Sequence, residues 1–282
     1  MEDRAGDVAR SAAEAGAAVL AQRYEDLETD LVAEHSSTDV KAAADEAAEA
    51  AILPEIREAF PEHAVYAEEA GFLSPAEPPA RDAPRYRWIV DPLDGTNNFA
   101  AGVPTFASAV ALERLPAGAS AEFGRDAVVA GTPIAAAAAL PATGERYLAT
   151  RGGGLRYDGT PVTAENGRPL AEATVATVIG HDVVEDDALA ERTAVQFDAI
   201  ERACKRRLDT WAPTVHWGVL GRGLLEAVVA VHPDREEQVL GELFAAESDA
   251  AIHADDERRR YVAAASESLL EAILDVLPEE PP

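Results

Sequence analysis

Helix-forming stretches at both ends, a run of short β-prone segments between them, and strands alternating with helices in the second half predict an α/β chain. With 282 residues, 48% of them hydrophobic, the chain can bury a substantial core as one large domain or two closely packed subdomains. The expected division is an α+β part over 1–150 and an α/β part over 151–282, which would shape a substrate pocket.

From Asp3 to about Leu31 the chain is Ala-rich, and Val8, Ala12, Ala15 and Val19 are spaced to share one helix face. A polar turn, His35-Ser-Ser-Thr38, precedes a second helix over about 40–60, whose apolar positions are Ala47, Ile52, Ile56 and Phe60. Pro54 should kink it and Pro61 end it. Ala64-Val-Tyr-Ala67 is a short strand ending in Glu68-Glu69, and Pro75 to Pro84 is a Pro-rich loop. Tyr86-Arg-Trp-Ile-Val90 is a strand that delivers Asp91 before Pro92 and Gly95 turn the chain. Ala107–Leu112, Ala127–Ala130, Ile134–Leu140 and Arg146–Thr150 continue as a meandering antiparallel sheet. The glycines of Arg151-Gly-Gly-Gly154 and Tyr157-Asp-Gly159 mark turns. Beyond them, Thr174–Gly180 and Leu224–Val231 read as strands, and Ala188–Cys204, Glu236–Ala246 and Ser266–Val276 as helices. His181 to Asp187 reads as an acidic, solvated loop.

The formal net charge is −28, from 52 acidic and 24 basic residues, and it disfavours nucleic acid as a partner because the phosphate backbone would be repelled. Lys41 and Lys205 are the only lysines. This hydrated acidic surface suits concentrated salt, where repulsion is screened, so the expectation is a halophilic host. The single Cys204 excludes an intrachain disulfide and a thiolate cluster, and points to a reducing cytoplasm. Met1-Glu-Asp-Arg-Ala lacks the basic region of a signal peptide, and no uncharged apolar run reaches the ~20 residues of a membrane span.

Chemistry concentrates at Asp91-Pro-Leu-Asp-Gly-Thr96. Two carboxylates bracketing a turn stiffened by Pro92 can converge on one point, and two hard anions so placed call for a hard cation. Magnesium, an oxygen-seeking ion that works with substrate phosphate, suits them better than zinc. Glu68 could join from the neighbouring strand end. Gly95 permits close backbone approach, and a helix opened by Thr96 would offer N–H groups to a phosphate oxygen. Taken alone, Asp94-Gly95 is an ordinary turn and Asp91 a capping acid.

The whole string Trp88-Ile-Val-Asp-Pro-Leu-Asp-Gly-Thr-Asn-Asn-Phe99, continued by Gly102-Val-Pro-Thr-Phe106, resembles the signature of the inositol monophosphatase family. Thr38 to Asp45 is similar to that family's first acidic motif, Glu68-Glu69 to its paired acids, and Gly152 to Gly159 to its glycine-rich connection. The resemblance implies a layered α-β-α-β-α sandwich and a metal-dependent phosphomonoesterase. It further implies that Glu68, Asp91, Asp94 and the Leu93 carbonyl bind Mg2+, and that Asp45 and Thr96 orient the attacking water. A homodimer is compatible with it.

The second half departs from the family pattern. The family's late Trp-Asp pair is absent, and ungapped alignment puts Glu236-Glu237 in its place, so Glu237 offers the carboxylate on a longer arm; an exposed helix-start acid is the equal alternative, and Asp234 a weaker candidate. Asp209-Thr-Trp-Ala212 stands where the family has small residues beside the ring, so Asp209, Thr210 and Trp211 should line a reshaped pocket. A ring-contacting acid of the family falls near Ala230, which has no side-chain hydrogen bond to give, and the Lys before the first acidic motif is replaced in the region of Glu34-His35. Inositol specificity does not follow. The expected activity is hydrolysis of a small phosphorylated polyol, sugar or nucleotide, the alternative being a catalytically weak member that binds a ligand or protein.

Overall fold

The structure is a computed structural model that describes residues 2–29, 37–77, 85–119, 131–255 and 259–278. The expected turn at His35, the strand Ala127–Ala130 and most of the 75–84 loop lie outside them. Two compact units emerge, one from 1–161 with 211–215 and 235–243, the other from 162–210, 216–234 and 244–282. The first unit therefore keeps the glycine-rich turns after Thr150 and takes in two later segments.

In the first unit α1 (Glu2–Thr29) and α2 (Ser37–Ala59) precede β1 (Ala64–Ala67), β2 (Gly71–Leu73) and β3 (Tyr86–Asp94). A short α3 (Thr96–Ala100) leads to β4 (Ala107–Arg114), β5 (Thr132–Leu140), β6 (Glu145–Thr150), β7 (Gly154–Tyr157) and β8 (Thr160–Val162). They form one eight-stranded sheet, ordered β2-β1-β3-β4-β5-β6-β7-β8. β1 runs parallel to β3, and β3 to β7 form the expected antiparallel meander.

The two helices bury one face of this sheet. From α1 the buried stripe is Ala5, Ala9, Ala12, Ala13 and Ala17, packed with Ile52 and Ile56 of α2 and Phe60 just beyond it on Trp88, Val90, Val110 and Leu112. This corrects the predicted face of α1: Val8, Ala15 and Val19 sit at its half-buried margin. Small residues win the interface because the helix runs close to its neighbours. A Cβ at Gly16 would come within 2.3 Å of Ser108 Oγ and 2.8 Å of Ile52. α2 continues through Pro54 to Ala59, and Phe60 N–H still donates to the Ile56 carbonyl.

In the second unit β9 (Thr174–Ile179) is followed by α4 (His181–Glu185) and α5 (Asp187–Ala203), where a solvated loop was expected over 181–187. Asp186 explains the correction: its side chain accepts from Ala188 and Leu189 N–H, capping α5. β10 (Arg206–Leu208), α6 (Pro213–Gly221), β11 (Ala227–Val231), α7 (Arg235–Glu247), β12 (Ala251–Ala254), β13 (Arg260–Ala264) and α8 (Glu267–Val276) complete the chain, α6 and α7 each contributing to both units. The five-stranded sheet, ordered β10-β9-β11-β13-β12, packs Val175, Val229 and Val262 against Ile200 of α5 and Leu269, Leu270 and Ile273 of α8. No helix among the described residues is long and apolar enough to cross a membrane.

Candidate metal and phosphate site

The site begins as an irregularity in β3. In a regular strand residues three apart point to opposite faces, which would separate Asp91 from Asp94. Here Asp91 pairs with Ala109 and Asp94 with Ala107, so three steps on β3 answer two on β4. The extra residue is a β-bulge, and it returns both carboxylates to one face. By the strand's alternation Asp91 lies on the face opposite Trp88 and Val90, which pack with α1 and α2. The strand therefore does not end at Val90 as predicted, because the bulge absorbs Pro92, which a regular ladder excludes.

Local bonds fix the turn. Leu93 N–H donates to Asp91 Oδ1 at 3.1 Å, and the Leu93 carbonyl accepts the Thr96 hydroxyl at 2.9 Å. Gly95 sits at φ +89°. A Cβ there would meet the Thr105 carbonyl at 2.9 Å and Ala212 Cβ at 3.1 Å, so the turn requires glycine twice over. Asn98 donates to the same Thr105 carbonyl at 2.7 Å, and Thr214 N–H donates to Asp94 Oδ2 at 2.7 Å.

Asp91 and Asp94 are buried, at 5% and 3% exposure. Burial pushes the Asp91 carboxyl well above its ordinary range, and repulsion from Glu68, Asp94, Glu237 and Asp45 adds to it. Burial likewise pushes Asp94 up to about 7, with Thr214 opposing the shift and Glu68 reinforcing it. Four predicted acids, Glu68, Asp94, Glu237 and Asp45, thus act electrostatically on Asp91. Among the described residues, however, no three His, Cys, Asp or Glu side chains are drawn into a closed ion-holding group. The donors are all oxygens, and a hard divalent cation is the partner that relieves such mutually repelling buried carboxylates, so the residues fit Mg2+.

Two supports are not legible in the sequence. Glu49, one turn along α2 from Asp45, is a buried carboxylate that accepts from Glu69 N–H at 3.0 Å and Ala70 N–H at 3.2 Å. It clamps the turn bearing Glu68, whose own N–H donates to the Val90 carbonyl at 3.2 Å. Its spacing of four from Asp45 was the available signal. The second support is the buried pair Arg87 and Glu113, cross-strand neighbours in β3 and β4. Arg235, two residues before Glu237, joins them at 2.7 Å from Glu113 and also reaches Glu242 at 3.2 Å. Only the strand register reveals that network. It ties the start of α7 to the sheet face that carries Asp91.

Of the predicted pocket residues, Trp211 belongs to the first unit, while Asp209 and Thr210 belong to the second. Thr210 Oγ1 lies 2.7 Å from His216 Nε2. Asp234 is engaged elsewhere, accepting from His181 N–H at 3.0 Å and lying 2.6 Å from its Nδ1. A cavity of about 340 Å³ opens beside α1, lined by Arg10, Glu14, Arg146, Tyr147, Arg156 and Asp158 among others, and none of the converging acids lines it.

Comparison with known proteins adds the relationship. Curated relatives include Nus factor SuhB of Pasteurella multocida, 31% identical over 174 residues covering 61% of this chain and 56% of that one. Nus factor SuhB of Pseudomonas aeruginosa is 30% identical over 171 residues, again 61% and 56%. The match thus spans little more than half the length of these relatives. Among solved structures, the extragenic suppressor protein suhB of Bartonella henselae superposes with TM-score 0.75 at 20% identity, covering 97% of this chain and 98% of that one. An inositol monophosphatase from Anabaena superposes with TM-score 0.72 at 22% identity, covering 96% and 95%. Both share the layered arrangement of helices and sheets. The model of the inositol monophosphatase family matches residues 2–208, well over half of the sequence, and the chain belongs to that family.

Proposed function

We propose that the chain is a magnesium-dependent phosphomonoesterase acting on a small phosphorylated polyol, sugar or nucleotide by in-line attack of water. The observation that carries this reading is the bulge, which turns two buried carboxylates to one face under repulsion from three more. Glu68, Asp91, the Leu93 carbonyl, Asp94 and Glu237 would hold Mg2+, and Gly95 with Thr96 would seat a phosphate oxygen. When bound, Mg2+ lowers the pKa of water, neutralises phosphate charge and stabilises the leaving alkoxide. Asp45 and Thr96 orient the attacking water. The Thr96 proton is committed to the Leu93 carbonyl, so its oxygen faces the water as an acceptor. Glu237 stands in for the late aspartate, a role supported by its repulsion of Asp91 and by the anchoring of Arg235.

A second reading is a binding protein with little or no catalysis. The Nus factor naming of relatives favours it, as does the lack, among the described residues, of a closed ion-holding group. One assay separates the two: phosphate release from a panel of phosphomonoesters, with Mg2+, in high salt. The phosphatase reading expects turnover far above an Asp91→Ala, Asp94→Ala double variant. Equal rates in the two proteins would reject the phosphatase reading and leave the binding role standing.

A further inference from the structure

Trp211 departs from ordinary tryptophan behaviour in two ways at once. Its backbone sits at φ +53°, a region in which a bulky residue is an outlier. Its side chain is 66% exposed, whereas Trp88 and Trp217 are at 0% and 1%. Both features oppose folding, since the conformation is strained and the apolar ring stays in water. Strain retained beside a site is a pointer to use.

The location supplies that use. Ala212, the next residue, is fully buried, and its Cβ closes over Gly95. Thr214 N–H then binds Asp94 Oδ2 at 2.7 Å. Segment 211–214 is therefore pinned at two points to the Asp94-Gly95 turn, and Trp211 is its exposed end. A group esterified to a phosphate held at that turn would extend past the segment that Trp211 begins.

We propose that Trp211 is a stacking platform for the carrier of the phosphate, and that the site prefers a phosphomonoester with a planar heteroaromatic ring, a nucleoside monophosphate, over polyol and sugar phosphates. This rests on the phosphatase reading and names its substrate class. An indole face offers dispersion and π contact and a single N–H donor. A nucleobase has a π face to match it, and stacking of this kind favours binding about tenfold or more. A polyol ring presents hydroxyls that an indole face leaves without partners, and their desolvation counts against it.

Because the other two tryptophans are buried, Trp211 dominates quenching by iodide and can be read by fluorescence. Adenosine 5′-monophosphate, mixed rapidly with the Mg2+-loaded protein, should quench that emission and shield it from iodide, while glycerol 2-phosphate at equal concentration should do neither. Trp211→Gly should lower the ratio of kcat/KM for the nucleotide over glycerol 2-phosphate by about tenfold or more, and Trp211→Phe should keep most of that ratio. Glycine adopts φ +53° freely, so Trp211→Gly should melt no lower than the parent, and the lost preference cannot be assigned to misfolding. The proposal is overturned if the nucleotide leaves emission and iodide access unchanged, if glycerol 2-phosphate shields equally, or if Trp211→Gly keeps the ratio. Shielding by the nucleotide without phosphate release from any ester would sustain the platform and reject the phosphatase reading.

Discussion

Asp91 is buried and surrounded by other acids, so its charged form is one that the fold alone does not compensate and that a bound cation would stabilise. Asp91→Asn should therefore melt at or above the parent temperature in magnesium-free buffer. Magnesium at 100 times its Kd should stabilise the parent by about 2.7 kcal/mol and leave the variant unmoved, as calorimetry with and without Mg2+ would show. Two histidines set a separate acid limit. His63 stacks on Phe60 and Tyr86 and accepts the Trp88 indole N–H at 3.2 Å, and burial lowers its pKa to about 4. Burial lowers His216 to about 4 as well. Both folded pKa values lie below the ordinary 6.5, so the unfolded chain takes up protons first as pH falls. Their stabilising contribution is complete above about pH 6.5 and is lost on the way down to about 4. The raised Asp91 and Asp94 carboxyls act in the opposite sense over the same window, so the test is a difference. Between pH 6.5 and 4 the urea midpoint of His63→Gln should lose ground relative to its pH 7 value less than the parent's does, and equal changes in the two proteins would contradict the assignment.

At the scale of elements, what positions the acids is what the sequence concealed. The helices, the meander and the Asp91 to Thr96 motif were legible because periodicity, Gly and Pro mark them locally. The bulge was not, since one extra residue in β3 becomes visible only against its partners on β4. Glu49 is one acid among many on α2 until its contacts with the Glu69 and Ala70 amides are seen. Glu49→Ala should weaken Mg2+ binding by about tenfold through the Glu68 turn, and Glu49→Gln, which keeps an acceptor oxygen, should recover most of it. Isothermal titration of the two variants tests this. Arg235 escaped notice because its partners Glu113 and Glu242 are 122 and 7 residues away. Arg235→Met should cost about 3 kcal/mol in chemical denaturation, since it strips a partner from the buried Glu113, and should reduce Mg2+ affinity by loosening Glu237.

Over the whole molecule, the charge of −28 makes self-repulsion a permanent opponent of compactness. Raising KCl from 0.1 to about 2 M should raise the melting temperature steadily through screening; full structure and activity after dialysis into dilute buffer would sink that account. The class of fold was readable from the alternation of elements, and the family from one string of residues. The division into units was not, because 211–215 and 235–243 join the first unit by contacts remote in sequence. Those same two segments bring Trp211 and Glu237, which both lie beyond the residues 2–208 that the family model matches. Whether the Asp91–Asp94 centre directs water to a phosphorus atom is decided by hydrolysis in 18O-labelled water. Phosphate released only with Mg2+ present, each molecule carrying one labelled oxygen from solvent, is the predicted result; label in the alcohol, or no release above the Asp91→Ala, Asp94→Ala variant, would contradict it.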